Sequence, residues 1–204
     1  ALLPLLESHK NELDELKEIR GEFSNIMQEE MIKMWASKLG LQTFNKSIFD
    51  ELMKLMVKTP VDYTIFFREL SHVPDNISLL TKSFYNKETL DDKILNDWSE
   101  WLRKWKSLIN NTNCKDTNAT TTESSEKLSK EMKKVNPKYT LREWFLVPAY
   151  EEAEKENYSL IIELQDVMTD PYTEQSTEIE KKFYKEKPSK FFDIAGISHI
   201  SCSS

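Results

Sequence analysis

Only three glycines, Gly21, Gly40 and Gly196, occur in 204 residues, and that scarcity constrains the fold more than any other feature. Sandwiches, barrels and nucleotide-binding α/β sheets use glycine in turns and phosphate loops, where a side chain would clash or φ must be positive. Neither a G-x-G-x-x-G fingerprint nor a Walker loop can be assembled from glycines placed so far apart. The chain therefore reads as all-α. At 39% hydrophobic and 31% charged it can bury one sizeable core, and its length suits one domain or at most two small ones.

The organising stretch is Asn136-Pro137-Lys138-Tyr139-Thr140-Leu141-Arg142-Glu143-Trp144. Pro137 fixes its own φ and pushes Asn136 out of the helical region, so the chain must break and restart there. Thr140 and Glu143 have the spacing of a capping box, which predicts a helix from about Leu141 with Leu141, Phe145 and Ala149 on one face, widened by Trp144 and Val147. Pro148 lies where it can kink that helix.

Upstream, Leu13, Leu16, Ile19, Phe23, Ile26, Met27, Met31 and Met34 recur at three and four residues, which predicts a long amphipathic helix from Asn11 to Lys38 with these side chains as core filler. Gly40 closes it. Further helices are expected at 47–57, ended by Pro60, at 63–71 with Asp62 as N-cap, in a short piece after Pro74, and at 89–109. The last carries Trp98, Trp101 and Trp105 on one stripe. Three tryptophans can form a stacking platform, but packing against neighbouring helices, each indole N–H finding one partner, is the more economical reading. The tract 110–125 is Asn, Thr and Ser with almost no apolar residue and is expected to be a disordered insertion. A helix capped by Ser159 should end at Asp170-Pro171-Tyr172, another should run from Glu174 to Tyr184, and the tail 194–204 should be extended. Together these make about seven antiparallel helices in a single bundle-like body.

Function classes are narrowed mainly by exclusion. A net charge of −7, with lysines interspersed among acids, argues against a nucleic-acid partner. The longest apolar run, Ala1 to Leu6, contains Pro4 and is far short of the ~18–20 residues that span a bilayer, so no membrane partner is expected. The same run lacks the features of a signal peptide, and its apolar start without Met reads as a piece of a longer protein. Cys114 and Cys202 make no disulfide framework, which favours a reducing, intracellular compartment, and the sequons at Asn45, Asn76, Asn110, Asn118 and Asn157 are then incidental. Catalytic groups are sparse. His9 and His72 have no companions of the type a triad needs, and His199 with Cys202 supplies half a zinc site at best. No catalytic, cofactor-binding or metal residue can be nominated from the pattern alone.

Lys38-Leu39-Gly40-Leu41, the run Val61-Asp62-Tyr63-Thr64-Ile65-Phe66-Phe67-Arg68-Glu69-Leu70-Ser71, Val135 to Arg142, and the closing Ser201-Cys202-Ser203-Ser204 occur in this order. That combination resembles the C-terminal part of the selenoprotein O family, the YdiU-type protein adenylyltransferases, over all but the polar tract around Cys114. The resemblance implies an upstream kinase-like domain that moves AMP from ATP to hydroxyl side chains of protein substrates. It also implies that the ATP and Mg²⁺ sites lie in that domain, and that this region is its helical scaffold. One reactive position carries over: Cys202 matches the selenocysteine or cysteine that the family links to redox control. Asp62, Arg68, Asn136 and Arg142 match as well, and read as caps and buried ion-pair or hydrogen-bond anchors. By the same resemblance the compartment is mitochondrial in a eukaryote and cytoplasmic in a bacterium. From other classes come a free-standing helical interaction module docking through its apolar N-terminus, and a small thiol-redox protein relying on a depressed Cys202 pKa.

Overall fold

The computed structural model describes residues 10–113 and 121–192. Among them are eight α-helices and no sheet: α1 (Lys10–Lys38), α2 (Lys46–Lys58), α3 (Tyr63–Leu70), α4 (Asp92–Asn113), α5 (Thr121–Val135), α6 (Glu143–Ala153), α7 (Ser159–Thr169) and α8 (Thr177–Phe183). The all-α expectation holds. The short helix expected after Pro74 takes the form of 3₁₀ turns at Leu80–Ser83 and Lys87–Thr89.

The helices bury two apolar clusters. The first unites α2, α3 and α4 with the end of α1 and with Met132 of α5, around Leu39, Leu52, Phe66, Phe67, Phe84 and the three tryptophans. Each indole is satisfied: Trp98 donates to Thr59 Oγ1 (3.2 Å), Trp101 to the Ile48 carbonyl (2.9 Å) and Trp105 to the Leu39 carbonyl (2.8 Å). The tryptophan stripe is therefore core, and no stacking face is left for a ligand. The second cluster joins α6, α7 and α8 through Tyr139, Trp144, Phe145, Ala149, Leu164, Val167 and Phe183, and Ile65 of α3 enters it from the other side.

The chain turns from α1 into the first cluster by a Schellman motif. The Leu41 N–H donates to the Ala36 carbonyl (2.9 Å) and the Gly40 N–H to the Ser37 carbonyl (3.1 Å), with Gly40 at φ +64. A Cβ on Gly40 would meet Met132 Sδ at 2.7 Å and Leu128 Cδ1 at 2.9 Å, whereas one on Gly21, inside α1, would meet nothing within 4 Å. Gly40→Ala is accordingly expected to destabilise by about 2 kcal/mol, adding left-handed strain to overpacking. Gly21→Ala is expected to stabilise by about 0.5–1 kcal/mol through helix propensity. Urea denaturation of the two variants checks the opposed signs.

Several local expectations are corrected. The Thr140–Glu143 capping box does not form: α6 starts at Glu143, and its N-cap Arg142 makes no side-chain cap hydrogen bond, since a guanidinium carries donors only and cannot accept from the first-turn N–H groups. Leu141, placed before the helix, is 54% exposed, although Trp144, Phe145 and Ala149 are buried as expected. Ser159 is the first residue of α7 and not its cap. The tract 110–125 is helical at both ends, because α4 continues to Asn113 and α5 begins at Thr121; α5 is the helix missing from the expected seven. Burial of Ile109 and Met132 anchors those two helices despite their polar composition. Glu174 stands outside α8, which starts three residues later behind its own cap, Ser176. The largest departure is in α1. Ile19, Phe23, Ile26, Met27, Met31 and Met34, expected as core, are exposed among the described residues.

Candidate functional site

Between the two clusters runs a seam of buried polar side chains, built from the ends of α1, α3 and α5, the 136–142 segment and the loop before α8. Lys38, Asp62, Arg68, Glu69, Ser71, Asn136 and Lys138 are all buried in it. Burying ionised groups is unfavourable unless each finds a partner, so their pairing decides whether the seam holds.

Asp62 is the first anchor. Its Oδ1 accepts from the Ile65 N–H (3.1 Å), which caps α3, and from Arg142 Nη2 (2.9 Å). Its Oδ2 accepts from Arg142 Nη1 and from the Tyr85 hydroxyl (3.1 Å). One carboxylate thus caps a helix and forms a two-pronged ion pair with the residue that enters α6. Burial, and then the Asp62 charge, pushes the Tyr85 phenol up to about 12.

Arg68 is the second anchor. Its side chain is only 2% exposed; Nη2 donates to Glu174 Oε1 (2.6 Å) and Nη1 to the Asn136 carbonyl (3.1 Å). Lys138 donates to the other Glu174 oxygen and to Glu180 Oε2 (2.9 Å). Glu69, next along α3, accepts from the Tyr184 hydroxyl (2.7 Å) and from Lys82 (3.2 Å). α3 therefore places its apolar face in the first cluster and its charged face against the second half of the chain.

Asn136 closes the seam. Its Oδ1 accepts from Lys38 Nζ (2.8 Å), and its Nδ2 donates to the Lys38 carbonyl (3.0 Å) and to Ser71 Oγ (3.0 Å). The Lys38 ammonium also lies 4.8 Å from the centre of the Phe67 ring, and burial lowers its pKa.

Glu174 carries the seam's main pH dependence. Burial raises its pKa, but hydrogen bonds from Lys138 and Arg68 outweigh that effect and hold it at about 2, against an ordinary 4.5. A depressed carboxylate stabilises the fold fully above its unfolded pKa, and the contribution disappears as pH falls through the folded value. Because the Glu174 side chain is 51% exposed, solvent screening keeps the effect modest. The expected outcome is that wild type melts above Glu174→Gln at neutral pH, and that the gap closes as pH falls from 4.5 towards 2; a gap independent of pH would contradict it.

Asp62, Arg68, Asn136 and Arg142, the four residues read as anchors, all lie in this one seam, while Cys202 lies outside the described residues. Lys38, Glu69, Lys138, Glu174 and Tyr184 went unassigned in the sequence. Lys38, Glu69 and Lys138 stand inside the quoted segments, and Glu174 directly follows a Pro-Tyr-Thr break; those were the available signals. The chemistry of the seam is structural. Its cations Arg68, Lys138 and Arg142 are each matched by carboxylates, and Lys38 is held by the Asn136 amide oxygen. The described residues contain no cluster of three or more His, Cys, Asp or Glu that could hold a metal ion. No described helix is long and apolar enough to cross a membrane.

A family model described as protein adenylyltransferase SelO matches residues 2–169, a span that contains Asp62, Arg68, Asn136, Lys138 and Arg142. Curated relatives named protein nucleotidyltransferase YdiU match as well. That of Flavobacterium johnsoniae is 31% identical over 213 residues, covering 100% of this chain and 38% of the relative. Those of Aromatoleum aromaticum and Tolumonas auensis are each 30% identical, over 190 and 189 residues, covering 89% of this chain and 34% of the relative. The chain thus spans little more than a third of the length of these relatives.

Proposed function

The chain belongs to the protein adenylyltransferase SelO family, and from that premise we propose that it is the helical C-terminal region of a protein adenylyltransferase, supporting a kinase-like catalytic part of the same polypeptide. That catalytic part would bind ATP and Mg²⁺ and transfer AMP to serine, threonine or tyrosine hydroxyls of protein substrates. The observation that carries this reading is the seam: Asp62, Arg68, Asn136 and Arg142, the residues on which the resemblance rests, are held by internal partners, which suits an architectural role. The coverage of the relatives supports it too, since 62% of the Flavobacterium protein (100 minus 38) lies outside the matched segment, room enough for a catalytic domain.

Within the same reading Cys202 is the redox position, a thiol suited to thiol–disulfide exchange. The protein would act inside the cell, in mitochondria or bacterial cytoplasm according to its source. The test is a transfer assay on the full-length polypeptide with ATP labelled at the α-phosphate in one reaction and the γ-phosphate in another. Label from α alone on protein substrates is expected; label from γ alone would mean phosphoryl transfer and sink the proposal.

A further inference from the structure

Only the last turn of α1 is built into the body. Trp35 packs on Phe49 with ring centres 4.5 Å apart, Ala36 and Lys38 are buried, and the turn through Gly40 rests on α5. From Ile19 to Met34 the helix exposes Ile19, Phe23, Ile26, Met27, Met31 and Met34, with Phe23 reaching 62%. Spacings of three and four place these residues on one broad face, with Glu15, Glu18, Glu22 and Glu29 along one edge of it and Glu30 within it. Such a stripe, on a helix about 43 Å long, is larger than the scattered apolar exposure of ordinary surfaces. Met, Phe and Ile together suit an apolar partner surface of irregular shape.

We propose that this stripe is the docking face for the catalytic remainder of the longer polypeptide, an inference that rests on the reading given above. The family match contains α1 in full, so the helix belongs to the shared architecture. The Flavobacterium relative carries 62% of its length outside the matched segment (100 minus 38), a domain-sized body on the same chain. A tethered neighbour meets the stripe at an effective concentration of about millimolar, which a second free copy at micromolar levels does not approach. The acids that border and enter this face disfavour an anionic bilayer as the occupant.

The test compares oxidation of Met27, Met31 and Met34 by hydrogen peroxide in the 204-residue chain and in the full-length polypeptide, with buried Met132 as internal reference. Oxidation is expected to be at least about tenfold slower in the full-length protein, the protection given by a closed-to-open ratio of ~10. Phe23→Glu in the full-length protein should restore fast oxidation of Met31. Equal rates in the two proteins, or protection of the 204-residue chain that grows with its own concentration as a second copy would cause, overturns the proposal. An AMP-transfer assay on the same full-length sample separates the two readings. Protected methionines without transfer would count against the function, and free methionines with intact transfer against the docking face.

Discussion

Asp62→Ala is expected to destabilise the protein by about 3–5 kcal/mol, the largest effect of any single substitution in the seam. The loss of the α3 cap, where the Ile65 N–H donates at 3.1 Å, accounts for about 1 kcal/mol. Most of the remainder comes from Arg142. Its side chain is 16% exposed and would keep its charge without the carboxylate that receives both of its prongs. Because the penalty lies in the uncompensated cation, Asp62→Ala combined with Arg142→Met should recover a substantial part of the stability, and Asp62→Asn, which keeps a capping oxygen, should fall between wild type and Asp62→Ala. Denaturant midpoints for these four proteins and for Arg142→Met alone decide it. If the double variant is as unstable as the sum of its parts, the ion pair is not what Asp62 is there to hold.

Asn136→Ala should cost about 3 kcal/mol. The side chain is fully buried and meets three groups, so its removal leaves the Lys38 ammonium and the Lys38 carbonyl without this partner and takes one of two from the Ser71 hydroxyl, which still donates to the Phe67 carbonyl (2.7 Å). An unsatisfied buried polar group costs roughly 1–3 kcal/mol, more when charged. Lys38→Met removes the charge but keeps a flexible stem against Phe67, so the double variant should be less unstable than the two single losses added together. A double-mutant cycle measuring a coupling of about 1–2 kcal/mol is the expected result, and strict additivity would contradict the contact.

Local chemistry is what the sequence expressed most clearly. Asp62 could be identified as a cap because it precedes an apolar helical run after a proline break, and Gly40 as a helix stop because it is nearly the only glycine available. The tryptophan stripe was legible as core from its periodicity. The identity of the partners was not legible, since Arg68 and Glu174 are separated by 106 positions and Lys38 and Asn136 by 98, and no local pattern records such pairings. The failed capping box was not legible either: Arg142, next to Glu143, is directed towards Asp62 across the seam, and α6 starts behind this residue, whose side chain carries donors only. The two ends of the polar tract 110–125 are the outer turns of α4 and α5, helices anchored on the first cluster by Ile109 and Met132, long-range contacts that the composition of the tract does not record. Periodicity identified α1 correctly as a long helix. It could not say that the apolar stripe stays outside the core formed by these residues, because amphipathicity marks a face that is buried somewhere without naming against what.

Calorimetric titration of MgATP into the 204-residue chain bears most directly on the role assigned to this region. A scaffold whose buried seam cations are held by internal partners should give no saturable heat up to millimolar nucleotide, a regime in which even a weak site of about −4 kcal/mol would register. Saturable, Mg²⁺-dependent binding in the micromolar range would place a nucleotide site within these helices and contradict the account.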